Sequence, residues 1–163
     1  PQGLTMTGIP EHISSQKAAA YALGEDELLI AADTIVYLEG EVLGKPADAK
    51  EACAMLAKLS GQTHQVITGV TLRTLERTHT FSCVTEVTFA ELTQEQIQYY
   101  VKNYAPFDKA GAYGIQEWIG CVGVTSINGS YYNVMGLPVQ RLNQELHAFM
   151  NEKTDSFVDN FIY

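Results

Sequence analysis

The stretch "THQVITGVTLRTLERTHTFSCVTEVTF", residues 63–89, limits the fold more than any other part of the chain. β-Branched and aromatic residues dominate it, and such side chains suit a pleated surface better than a helix. It reads as two long strands joined near Glu76 and Arg77. The apolar run over residues 28–38 is a further strand, which Glu39-Gly40 turns back into a short return over residues 41–43. Helical patterns alternate with these strands. Residues 12–23 carry Ile13, Ala18, Ala19, Tyr21, Ala22 and Leu23 and stop at Gly24. Asp48 with Glu51, and Thr93 with Gln96, stand at helix-capping spacing before apolar residues of helical period. Pro138 suits the first turn of a last helix over residues 139–150. Asn128-Gly129 is the strongest hairpin signal and predicts two short flanking strands. The glycine-rich "FDKAGAYGIQEWIG" reads as a connecting segment, and the tail from residue 151 reads either as docked or as frayed. The sum is an α/β domain whose mixed, twisted sheet is flanked by helices; hairpins argue against a purely parallel sheet.

A chain of 163 residues suits one such domain. Its net charge of −9 argues against nonspecific binding to nucleic acid or anionic membranes, leaving small molecules or protein as partners. Cys53, Cys83 and Cys121 are odd in number and lack CxxC spacing, so they read as thiols in a reducing compartment, the cytoplasm. No apolar run is long enough to span a bilayer, and the start Pro1-Gln2-Gly3 lacks the regions of a signal peptide.

Within the run 28–38 the apolar residues lead to an aspartate, Asp33, although a charge on a buried strand costs roughly several kcal/mol unless it is paired. Lysines stand beside glycine or alanine at three element ends: Lys17 in "SSQKAAA", Lys45 in "LGKP" and Lys109 in "FDKAG". In a chain with 10 basic residues this placement fits phosphate binding, since lysine meets phosphate as a flexible point charge. Asp33, Asp108, Glu86 and Glu117 are carboxylates that can hold a divalent cation or activate water. Plainer readings stand beside these. Asp33 also fits a turn or cap, Lys17 a solvated helix face, and Gly44-Lys45-Pro46 an ordinary turn. Lys109 and Asp108 either pair with each other or complete a cleft. His64, His79, Trp118, Tyr131 and Tyr132 read as structural.

The ordered series "AADTIV", "GEVLGKP", "LAKLSGQTHQVITGV", "FDKAGAYGIQ" and "GSYYNVMGLP" resembles the Maf family of nucleoside triphosphate pyrophosphatases, from about Lys17 to Leu142. The resemblance implies the α/β fold shared with inosine triphosphate pyrophosphatases and a cleft for nucleotide and Mg²⁺ or Mn²⁺. It also implies hydrolysis to the monophosphate and pyrophosphate in nucleotide-pool cleaning, by a homodimer. By position, Asp33 matches the family's proton acceptor, and the resemblance implies a metal-ligand role for it as well. Lys45 matches its "GKP" lysine, and Lys17 the lysine of its first helix motif, here preceded by Ser15 and Gln16. Thr34 and Gln116 fall where the branch acting on dTTP and UTP differs from the branch acting on 7-methyl-GTP. The family's opening strand, its S-x-S-P-R-R loop and the acidic pair after it have no counterpart in this sequence. The expectation is therefore that residues 1–163 alone associate with themselves and hydrolyse slowly. A weakly catalytic nucleotide-binding regulator of cell division is the alternative class.

Overall fold

The computed structural model describes residues 4–158. Helix α1 (Gly8–Ala19) is followed by strand β1 (Leu29–Leu38), short strand β2 (Glu41–Leu43) and helix α2 (Ala49–Leu59). Two long strands, β3 (Thr63–Arg73) and β4 (Thr78–Phe89), lead to α3 (Gln94–Tyr104). Then come α4 (Trp118–Gly123), β5 (Val124–Asn128), α5 (Tyr131–Met135) and α6 (Val139–Val158). The strands form one sheet in the order β2-β1-β3-β4-β5. The hairpin content expected from the sequence takes the form of four antiparallel pairings within the α/β domain.

Local chemistry explains most boundaries. Asp48 accepts from Glu51 N at the start of α2, and Thr93 with Gln96 forms a full capping box on α3. Helix α1 begins earlier than the periodicity of residues 12–23 predicts. Pro10 lies in its first turn, where a missing N–H is tolerated, and Thr5 Oγ1 accepts from Gly8 N at 3.2 Å. The helix also ends earlier, because Arg73 reaches from β3 to donate to Ala18 O at 2.6 Å and Tyr21 O at 2.9 Å. That guanidinium satisfies carbonyls which a further helical turn would have used.

The predicted hairpin at Asn128-Gly129 does not form. Strand β5 pairs with β4, and the chain turns at Gly129, whose φ is +132°, into helix α5. Ser130 caps that helix by accepting from Asn133 N at 3.2 Å, so tertiary contacts replace the second strand. Residues 121–123 belong to α4 rather than to a strand, and α6 runs past residue 150 to Val158. The last part of the tail, residues 159–163, lies outside the described residues. Among the described residues no helix is long and apolar enough to cross a membrane.

Strand alternation sorts the helices onto two faces. On one face Val36, Leu38 and Val66 pack with α2 and α3, and further along the same face Val70, Leu72 and Phe81 pack with Leu142 and Phe149 of α6. Asp33 belongs to the opposite set and shares its face with α1, whose Ser14 Oγ lies 2.9 Å from Thr71 Oγ1. Because β2 pairs only with residues 36–38, residues 32–35 of β1 have β3 on one side and no strand on the other among the described residues.

Candidate active site

A cleft of about 530 Å³ follows that open edge of β1. Lys17, Asp33, Thr34, Lys45, Lys109 and Gln116, the six residues selected from the sequence, all line it. They come from α1, β1, the segment after β2 and the segment between α3 and α4.

Lys17 lies in the last turn of α1, and its Nζ is 2.5 Å from Asp33 Oδ1 and 3.3 Å from Ala32 O. This pairing is the physical answer to a carboxylate on an apolar strand. The aspartate side chain is 18% exposed and the lysine 51%, so the pair opens to the cleft and remains accessible to solvent. Lys45 follows β2 and makes no ion pair or hydrogen bond among the described residues, which leaves its ammonium available to an anion. Gly111 N donates to Gly44 O at 3.0 Å, which ties the Lys45 segment to the one that carries Lys109. A side chain at Gly111 would meet Val36 Cγ2 at 2.9 Å, and its φ is +68°, so only glycine allows this approach.

Lys109 is held between Asp108 at 3.0 Å and Glu117 at 3.3 Å. Burial works against its charge, but the two carboxylates outweigh burial and hold its pKa above the ordinary lysine value. Lys109 correspondingly holds Asp108 below the usual carboxylate range. Glu117 itself is anchored by the hydroxyl of Tyr100, a fully buried residue of α3 that also accepts from Gly114 N at 3.0 Å. Both readings of the Asp108–Lys109 pair are therefore met, since the two groups touch and both line the cleft.

Two of the four carboxylates considered from the sequence are not cleft-lining. Glu86 bonds Asn128 Nδ2 at 3.2 Å across the β4–β5 pair, and Glu117 supports Lys109 from behind. Among the described residues no group of three His, Cys, Asp or Glu side chains is arranged to hold a metal ion. Gln116 is exposed and has no hydrogen-bond partner among the described residues. Thr34 Oγ1 lies 2.8 Å from Thr68 Oγ1, a contact the sequence gives no means of finding because the residues meet only through register. Tyr100, Gly69 and Asn133 were likewise invisible as supports of the site, although Gly69 and Asn133 lie in quoted family stretches.

The family model described as Maf-like protein matches residues 4–149. The chain is 60% identical to the dTTP/UTP pyrophosphatase of Phocaeicola vulgatus over 148 residues, which are 90% of this chain and 77% of the relative. It is 55% identical to that of Bacteroides thetaiotaomicron over 148 residues, with the same coverage of 90% and 77%. With the Porphyromonas gingivalis protein of the same name, identity is 50% over 153 residues, or 91% of this chain and 77% of that one. With a family model spanning nearly all of its described residues and such relatives, the chain belongs to the Maf-like protein family.

Proposed function

We propose that this protein is a nucleoside triphosphate pyrophosphatase that hydrolyses dTTP and UTP to the monophosphate and pyrophosphate. The observation that carries the reading is the cleft itself, where the Lys17–Asp33 pair, Lys45 and Lys109 converge on one open strand edge. The names of its relatives support the same substrates.

In this reaction water attacks the α-phosphorus, the bond from that phosphorus to the bridging oxygen breaks, and pyrophosphate leaves with the bond's electrons. A triphosphate carries roughly four negative charges, so placing cations matters more than covalent chemistry. Lys45 and Lys109 bind phosphate oxygens, and Lys17 holds Asp33 in a fixed orientation at the strand edge. Asp33 orients the water and accepts its proton. Asp33 is the residue that would hold a divalent cation, because Mg²⁺ commonly uses one or two carboxylates plus substrate oxygens. When bound it would supply further charge neutralisation to the phosphates. Gln116 offers both a donor and an acceptor to the base.

A reducing compartment, the cytoplasm, suits the three cysteines, which are all free. A homodimer is consistent with the exposed apolar side chains of Tyr131, Tyr132 and Met135. The deciding experiment is a substrate panel with Mg²⁺ in which pyrophosphate and monophosphate are quantified. Release of both from dTTP and UTP is expected. Nucleotide-dependent thermal stabilisation without any pyrophosphate would instead identify a binding protein.

A further inference from the structure

Gly114 N donates to Tyr100 OH at 3.0 Å, and Gly114 O accepts from Glu117 N at 3.0 Å, so the backbone of this buried residue is fastened on both sides. Its φ is not positive, and the backbone by itself would allow a side chain there. What excludes one is Lys109. A Cβ at Gly114 would lie 2.9 Å from Lys109 Cε and 3.2 Å from both Lys109 Cδ and Glu117 Cδ. The stem of the lysine therefore crosses the bare backbone of Gly114, and the carboxylate that holds its ammonium at 3.3 Å borders the same spot.

Other crowded glycines differ in what a side chain would strike. A Cβ at Gly69 would meet the backbone of Pro10 and Glu11, and one at Gly120 would lie 1.8 Å from Ile115 O. Those two glycines let segments of main chain approach each other. At Gly114 the three nearest atoms all belong to side chains, and two of them lie at the far end of a flexible lysine stem. A methyl group there displaces Lys109 before it displaces the fold. Because Nζ is bonded to Cε, a shift of Cε carries the ammonium with it. A methyl that touches both Lys109 and Glu117 also pushes the two partners apart.

We propose that Gly114 is a positioning residue for a phosphate-binding cation: its missing side chain leaves the surface on which Lys109 lies, and Tyr100 and Glu117 hold that surface in place. The inference rests on the reading of Lys109 as a ligand of the nucleotide's phosphates. Losing a hydrogen bond to a charged group corresponds to roughly ten-fold in affinity or more. Ground state and transition state share this contact, so the loss falls on KM rather than on kcat.

The test is Gly114→Ala, made alone and in a Lys109→Ala background that removes Cδ and Cε. KM and kcat for dTTP with Mg²⁺ are measured, together with affinity for α,β-methylene dTTP by calorimetry and the midpoint of urea unfolding. Gly114→Ala should raise KM and weaken the analogue about ten-fold, with kcat within about three-fold of the parent and the urea midpoint nearly unchanged. In the Lys109→Ala background the same substitution should have no further effect on binding, because the group it displaces is gone. A loss that persists in that background would show Gly114 acting by another route and overturns the proposal. Unchanged KM and affinity overturn it too, as does a Gly114→Ala chain that fails to fold, since the glycine would then serve the fold and not the lysine. Analogue binding with the expected pattern but no pyrophosphate from any nucleotide would sink the proposed enzyme function alone, because the affinities still judge Gly114. A parent chain that binds no analogue overturns both.

Discussion

Gly69 faces Asp33 across the β1–β3 ladder, and the backbone of α1 occupies the space a side chain at Gly69 would need. A Cβ there would lie 2.3 Å from both Pro10 C and Glu11 N. The glycine therefore seats α1 on the strand pair, and the same helix brings Lys17 to Asp33 in its last turn. Gly69→Ala forces backbone to move, so it should destabilise the fold by about 1–3 kcal/mol or more and lower turnover by displacing Lys17. Urea unfolding and pyrophosphate release measured together check this. A variant with normal stability and activity would show that the approach of α1 has no such consequence.

Asp33→Asn retains the size of the side chain and an oxygen that can accept from Lys17, but removes the charge and the proton-accepting capacity. Turnover should fall by about 10²-fold or more while circular dichroism stays that of the parent. Near-normal pyrophosphate release by this variant would remove Asp33 from its assigned role.

Tyr100 and Glu117 act on the cleft through Lys109. Tyr100→Phe leaves the Gly114 N–H without its acceptor and Glu117 without its donor, so a stability loss of about 1–3 kcal/mol is expected. Glu117→Gln should be milder in stability, yet it frees Lys109 from one of its two carboxylates. The expected outcome is a changed KM for nucleotide with kcat altered less, because positioning of a phosphate-binding cation has been disturbed. Unchanged steady-state constants in both variants would mean that Lys109 makes no contact with substrate.

His64 should make the fold sensitive to mild acid. The ring is 1% exposed, its Nε2 lies 2.6 Å from Tyr113 OH, and burial lowers its pKa to about 4. An unfolded histidine takes up its proton near about pH 6.5. Between these values the unfolded chain binds more protons, so stability rises with pH. The contribution is complete above about pH 6.5 and is lost as pH falls toward about 4, for a total of about 3 kcal/mol. Urea titrations of the parent and of His64→Gln at several pH values check this, since the variant should lack that part of the slope. Parallel stability profiles would contradict it.

Much of the architecture was legible because it follows from interactions within a few residues. The β-branched run gave β3 and β4, Glu39-Gly40 gave the turn into β2, and the capping pairs at Asp48 and Thr93 fixed the starts of α2 and α3. Asp33 and the lysines Lys17, Lys45 and Lys109 stood out by residue type and placement, family resemblance added Thr34 and Gln116, and all six line the cleft. Tertiary structure decided the rest. Asn128-Gly129 has the chemistry of a hairpin turn, but the contacts of Ser130 and Asn133 with Thr85, Val66 and Cys83 made the next segment a helix. Glu117 resembled a metal-binding carboxylate until Lys109 and Tyr100 were seen to use both of its oxygens. Lys17 and Asp33, Thr34 and Thr68, Gly69 and Pro10 meet through strand register and helix docking. The sequence by itself determined which residues prefer strand, helix or turn, because those preferences are local. Which distant side chains share a hydrogen or a charge was decided only when the sheet's register and the seating of α1 and α5 brought them within bonding distance.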